Sequence, residues 1–539
     1  MKCNTKNCNF EQFENEDHCI FHCNKTIDNG WITSSNDKYI KYNNKIELFW
    51  KTFTQSYQHG GMFTIGFIIP FYHTNLVKTD GLSDIKKIKD LDFRDCTFVD
   101  VFELIGEDND IKLKKLAFNN CSFNDTLYLY DLDIEYLSLL HIKLKKTCTL
   151  NHLDLNSGEI MDISSIDNKS TTFSISSVNV LEKLELWKSK DENISLQINS
   201  GKFNELELNE LTIKNIHFEH SKLSKLKITK SSLDILHLFQ VDFKSDSKIL
   251  FEHIEVDNFT LKNISQDSKY IQFNHINISK KLDIDKTEFR NTYFNDFNLS
   301  NANVNINKVS FMNSHLNSIE WGNISRIKAG RDIFRELKYI YDEHANYIEA
   351  NNFFTMEMES YKKELDNKSF FSNYWQEKLV FLLNKKISNF SQSWFLPLLW
   401  IFITNLSFFI FIKISLNNYN HMELLVSIMT VISSLIFGRI VYEKAKKNNS
   451  IKSSFYTFQH ISIIFAFILI INMFNYGSIK DIMWFSNIQS YKDYAEAFTP
   501  TSKDILKYTS VYLAWWSHKI LTGFFIYHFI IALRRQTKR

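Results

Sequence analysis

The chain has 539 residues, too many for one ordinary domain, so several modules are expected. Its 63 basic and 61 acidic residues leave a net charge of +2, which argues against a nucleic-acid binder with its concentrated basic excess. Aromatic residues make up 15% of the chain, whereas Gly (13) and Pro (3) are scarce, as suits a regular architecture with few linkers.

No apolar leader of signal-peptide type follows Met1, and with seven cysteines, an odd number, a disulfide scaffold is not expected. Four of the cysteines, Cys3, Cys8, Cys19 and Cys23, fall in the first 23 residues together with His18 and His22. Thiolates at these spacings can supply a tetrahedral site for Zn²⁺, and such a site would hold together a segment (1–30) too short to build a core. Cys23 and His22 are adjacent, so either can be the fourth ligand. With all positions filled by protein, the zinc would be structural.

Residues 31–84 read as a cap: a helix around Phe49-Trp50, then a strand in the apolar run Phe63 to Tyr72. Open solenoid ends need such caps because they expose unpaired strand backbone.

The solenoid itself is expected over 85–321. Its signature is a five-residue register: Ile198, Phe203, Leu208, Ile213, Phe218, Leu223, Ile228, Leu233, Leu238 and Phe243. A second inward register is also mostly apolar or small: Leu206, Leu211, Ile216, Ser221, Leu226, Ser231, Leu236 and Val241. Neither a helix nor a flat strand keeps such a phase for this length. A square coil does, with five residues per side and one large side chain turned inward. The register returns at Ile284, Phe289, Phe294, Leu299, Val304, Val309 and Ile319. Phe93 to Phe98 and Phe118 to Phe123 repeat one motif, with Cys96 and Cys121 as small core residues. Between about 155 and 195 the register is lost among Ser, Asn, Asp and Lys, and irregular coils or outward loops are expected.

These repeats resemble the pentapeptide-repeat family, whose members form a right-handed quadrilateral β-helix. The resemblance implies that fold here, with wider coils, because Leu or Ile often stands where the family prefers a small residue.

After Trp321-Gly322 the period becomes helical. Arg331 to Tyr341 and Asn346 to Leu365 form a helical hairpin that looks like a single tetratricopeptide-type unit, within a connector at 322–390. Residues 391–539 hold four long apolar runs: Trp394 to Ile414, Met422 to Val441, Thr457 to Phe474 and Ala514 to Leu533. Each is about the ~20 residues that cross a bilayer, and basic residues after the second run and at the C-terminus place both ends in the cytoplasm of a bacterial inner (plasma) membrane. Within these runs Ser427, Thr430, Ser434, His460 and His528 are the candidate pore or gating residues.

No catalytic motif is present, so no enzyme is expected. The whole order of modules is similar to bacterial pentapeptide-repeat proteins with an ion-channel-like tail. That resemblance implies a cytosolic solenoid coupled to a channel-like membrane domain in a homo-oligomer. The alternative is a membrane-anchored scaffold that recruits a protein partner through the solenoid without conduction.

Overall fold

The computed structural model describes residues 2–5, 8–14, 16–32, 43–58, 64–73, 88–106, 111–266, 270–316, 318–367, 375–415 and 509–537. The chain forms two compact units, Met1–Tyr361 and Lys362–Arg539.

The first unit is dominated by a parallel β-solenoid of about ten turns, in which strands of successive coils pair in parallel. In the stretch with the clearest repeat, a coil takes twenty residues. Leu206 faces Leu226, Ile216 faces Leu236 and Phe218 faces Leu238. Twenty residues are four sides of five, and both inward registers point to the interior: Phe203, Leu208, Ile213, Phe218, Leu223, Ile228, Leu233, Leu238 and Phe243 are all buried, as are Leu206, Leu211, Ile216 and Leu226. The wide second position is therefore filled by leucine and isoleucine. Cys96, Cys121 and Cys148 are buried in the same interior as free thiols.

Two of the four corners carry a backbone signature. Lys188, Glu210, Lys230, His253 and His275 all have φ near +50°, and so do Ser200, His220, Gln240 and Asn263. Successive members of each series are one coil apart, and in the twenty-residue coils the two series are ten residues out of phase. They therefore form two edges at opposite corners of the rod. A left-handed residue reverses the chain sharply, and its N–H stays available to the next coil. Ser200 N donates to Glu219 O at 2.8 Å, Glu210 N to Thr229 O at 3.0 Å and His220 N to Phe239 O at 3.1 Å.

The expected irregularity at 155–195 takes the form of bulged coils and an exposed loop at 166–170. Strands Cys148–Ser165, Thr171–Ser176, Asn179–Trp187 and Lys190–Asn199 continue the solenoid without a break in stacking. What changes is coil length: Cys148 faces Phe173 and Ser157 faces Lys183, with register shifts between Leu155 and Ser157 and between Val180 and Lys183. The extra residues are absorbed as bulges, after which the inward phase resumes. The stacking also extends past the expected limits. Thr64 and Ile65 already pair with Phe93 and Arg94, and the last strand is Ile327–Ala329.

Both ends are closed. Helix α1 (Asn44–Gln58) sets Phe53 parallel to Phe93 at 6.1 Å, and Trp50 Nε1 donates to Phe71 O at 3.0 Å. At the other end, α2 (Arg331–Glu343) supplies Glu336, whose carboxylate accepts from Phe311 N at 2.6 Å and Ser310 Oγ at 3.1 Å. Tyr341 Oη accepts from Trp321 Nε1 at 2.7 Å and donates to Leu316 O at 2.8 Å. These bonds satisfy strand groups that have no further coil to pair with. Helix α3 (Tyr347–Asp366) completes the expected hairpin, with Ala350 and Phe353 buried and the Phe353 ring stacked on Tyr341.

The second unit contains α4 (Trp375–Ser388), α5 (Phe395–Ser415) and α6 (Thr509–Thr537). Here the four-span membrane domain is corrected: among the described residues no helix is long and apolar enough to cross a membrane. The runs Met422 to Val441 and Thr457 to Phe474 lie outside the described residues. Helix α6 is interrupted by Ser517, His518, Lys519 and Thr522, and His518 Nε2 lies 3.1 Å from Asn405 Oδ1 of α5. Polar groups thus tie these two helices to one another. The inner-membrane placement, with both ends cytoplasmic, falls with the spans on which it rested.

Candidate metal centre

The N-terminal segment folds around sulfur. Cys3 N donates to Phe10 O at 3.0 Å and Asn4 N to Asp17 O at 3.1 Å, which brings the first strand-like turn back on the second. A tight turn then follows, with His22 N and Cys23 N both donating to Cys19 O at 3.0 and 2.9 Å. In that turn Cys19 and His22, three residues apart, project to one side.

Cys3, Cys8, Cys19 and His22 converge, with their ligand atoms all within 4.8 Å of one another, and such a cluster can hold a metal ion. Cys8 Sγ is 3.6 Å from Cys19 Sγ, while His22 Nδ1 is 3.2 Å from Cys19 Sγ and 3.7 Å from Cys3 Sγ. With Zn–S near 2.3 Å and Zn–N near 2.0–2.1 Å, a tetrahedron has edges of about 3.8 Å between sulfurs and about 3.6 Å between sulfur and nitrogen. The observed separations fit such a donor set with small adjustments. The backbone N–H of Cys19 donates to Cys3 Sγ at 3.2 Å, a contact that stabilises thiolate charge.

The environments of the three thiols differ. Burial opposes ionisation of Cys3, but hydrogen bonds from the Thr5 hydroxyl and from the Cys19 and Thr5 backbone outweigh it and bring its pKa down to about 6. Burial pushes Cys19 up to about 12 and also raises Cys8. Cys3 is thus the most readily ionised of the three, and a cation must displace protons at the other two.

The geometry decides between His22 and Cys23. Cys23 is fully buried and turned away, its thiol 3.6 Å from Ile20 O, and burial raises its pKa. His22 takes the fourth position. His18 is not among the converging residues.

Sequence reasoning missed Lys25. It is buried beside the cluster, donating to Ile20 O at 3.0 Å and Cys23 O at 3.2 Å, with its ammonium 4.9 Å from the Trp31 ring and 5.1 Å from Phe49. Burial lowers its pKa to about 8, against the opposing pull of the Cys23 and Cys19 sulfurs. A single lysine among aromatic residues gives no signal in the sequence, because lysine usually keeps its charge in water.

Ser427, Thr430, Ser434 and His460 lie outside the described residues. His528 is buried on α6 with its ring 4.6 Å from Phe524.

Comparison with family models, with curated proteins and with solved structures gives no match. The fold and the centre therefore define the chain by themselves. It is a parallel β-solenoid, compatible with a pentapeptide-repeat-like architecture, with a metal-competent Cys₃His knot at its N-terminal end.

Proposed function

We propose that this chain is a non-enzymatic interaction scaffold, a rod that recruits a protein partner on its outward side chains and whose N-terminal knot is fixed by a structural zinc ion. The reading is carried by the straight outward columns of the solenoid. Stacked coils place each side chain above its equivalent at the ~4.8 Å strand spacing, so a surface is presented in fixed register. One side bears alternating charge: Lys183 and Lys227 reach Glu207 at 2.9 and 3.7 Å, and Lys225 reaches Glu205 at 3.1 Å. Such a ladder is solvated and suits a protein partner of complementary charge. The space between Ile160, Phe173, Leu186 and Leu211 amounts to only about 10 Å³, scarcely room for one water.

Zinc is favoured over other ions because three thiolates and one imidazole at tetrahedral separations suit it, and because four protein ligands leave no open position. The scaffold reading is tested by quantitative capture on full-length protein, followed by binding of the purified candidate. A saturable partner should lose at least tenfold in affinity to a Lys183→Glu/Lys225→Glu/Lys227→Glu variant whose melting is unchanged. No saturable protein partner, or equal binding by the variant, overturns it.

A further inference from the structure

The side of the rod opposite the ion-pair ladder has a different chemistry. Over four successive coils it is formed by residues 126–130, 147–151, 172–176 and 195–199, aligned through the pairs Thr149–Tyr128, Thr149–Ser174 and Ser174–Gln197. Each segment sets three residues on the outer register, and none of the twelve is charged: they are Thr, Ser, Tyr, Asn and Gln only, all at least partly exposed except the buried Ser195. In a chain with 23% charged residues this is a local exclusion. It is bounded by carboxylates, since Glu103 precedes Tyr128 by one coil and Glu219 follows Asn199 by one coil. Over the same coils the opposite side carries Glu159, Lys183, Glu185 and Glu205.

The face is also ordered. Tyr128 and Tyr130 lie with ring centroids 5.9 Å apart and planes 11° apart, and Tyr130 is braced by His152 at 5.2 Å. Hydroxyls meet between and within coils, Thr147 with Thr126 at 3.5 Å and Ser174 with Ser176 at 3.3 Å. Hydroxyl and amide groups can each donate and accept, so this is a flat lattice of two-way hydrogen-bonding groups beside an aromatic platform. A phosphate polymer finds no cation at the twelve positions, since Lys146 at their edge is paired with Asp125 at 2.7 Å, and a charged protein surface would be desolvated without compensation. A polymer with repeated hydroxyls around an apolar ring face matches on both counts.

We infer that this face binds an uncharged polysaccharide laid along the rod, with a sugar ring over Tyr128 and Tyr130 and hydroxyls bonded to Thr149, Asn151, Gln197 and Asn199. This goes beyond the protein-scaffold reading and uses the other side of the coil. The test is affinity electrophoresis of the full chain through native gels containing a cellulose ether, a mixed-linkage β-glucan, a galactomannan or dextran, with polygalacturonate as the charged control. At least one neutral polymer should retard the protein, with less than about a twofold change on adding salt, because no ion pairs are screened. Tyr128→Ala/Tyr130→Ala should weaken retardation at least tenfold. Thr149→Glu/Asn199→Asp, which alters outward positions only, should do the same with melting unchanged. Lys183→Glu/Lys225→Glu/Lys227→Glu should leave it intact, so that loss of the protein partner and loss of the glycan are read separately. No retardation by any neutral polymer, retention unaffected by the outward variants, or salt-sensitive retention by polygalacturonate alone overturns the inference.

Discussion

The N-terminal knot and the rod solve the same problem, ordering a chain, by opposite means. The knot concentrates its order in four ligand atoms within 4.8 Å of one another, supported by a few hydrogen bonds. The rod spreads its order over many equivalent coils, each contributing apolar side chains to one interior and backbone bonds to its neighbours. The difference lies in how damage travels. A concentrated site fails at one chemical step, whereas a repeated structure fails only where a coil can no longer stack. The two meet in aromatic packing: Phe21 stacks on Phe67 at 4.6 Å, and Ile68 N donates to Phe21 O at 2.9 Å.

The largest effect is expected from breaking the rod in its most regular part. Leu223 is fully buried between Phe203 and Phe243 of the adjacent coils. Leu223→Asp leaves a carboxylate there without a partner, and a loss of about 4 kcal/mol or more is expected. Denaturant unfolding followed by hydrogen exchange should show lost protection in the coils on either side. Unchanged protection would mean that the inward register is wrong.

Breaking the knot should be milder and local. Purified protein should contain one metal ion per chain, lost in Cys8→Ser/Cys19→Ser, with exchange protection lost in residues 2–32 and retained at 111–266. Loading the metal-free protein near neutral pH should release about two protons, from the thiols of Cys8 and Cys19 that burial holds protonated. Elemental analysis and a pH-indicator titration measure both quantities. A metal-free preparation whose N-terminal protection is unchanged would remove the metal from the account.

The repeat was legible because the interior demands one residue type at a fixed spacing. Phe203, Leu208 and Ile213 announce a period that no other element keeps, and all are buried. The irregular coils of 155–195 were legible as a lost register, because a bulge shifts the numbering without changing which side chains point inward. Of the metal ligands, the cysteines were legible through their spacing, but the choice between His22 and Cys23 depended on the turn at Cys19. The runs Trp394 to Ile414 and Ala514 to Leu533 misled because composition does not say where a helix finds its partners; Asn405 and His518 pair across two helices. The uncharged side was visible only after the coils were aligned, since its residues are spread over 126–199.

A third test concerns acid. His217 and His237 occupy equivalent positions on adjacent coils, their rings 5.6 Å apart, and burial lowers both pKa values. Glu219 opposes this shift at both rings and Asp283 at His237, where the neighbouring His217 and Lys262 reinforce it. A depressed folded-state pKa means that the unfolded chain binds more protons once the pH falls below the ordinary histidine range near 6.5. The contribution of this pair is therefore fully present above that range and is lost as the pH falls through the lowered values. Between pH 7.5 and 5.5 the denaturant midpoint should fall, and His217→Gln/His237→Gln should flatten the decline. Identical slopes for the two proteins would assign the acid sensitivity to carboxylates elsewhere.

The smallest effect, and the sharpest test of distributed order, is at a corner. Gln240 has φ of +50° and donates its N–H to Lys262 O at 3.0 Å, while its side chain is exposed. A left-handed residue with a Cβ costs roughly 1–2 kcal/mol, and the coil tolerates this because the corner is held from both sides. Glycine removes that cost but adds freedom to the unfolded chain, roughly 0.5–1 kcal/mol against it, so Gln240→Gly should be neutral or stabilise by up to about 1 kcal/mol. Valine, branched at Cβ, meets the left-handed backbone with more strain, and Gln240→Val should cost about 1–2 kcal/mol. The same pair of substitutions at Asn263, one coil further along that edge, should give the same ordering because the backbone geometry repeats. Denaturant midpoints of the four variants measure it. If glycine destabilises more than valine at both positions, the left-handed corners are not what turns this chain into coils.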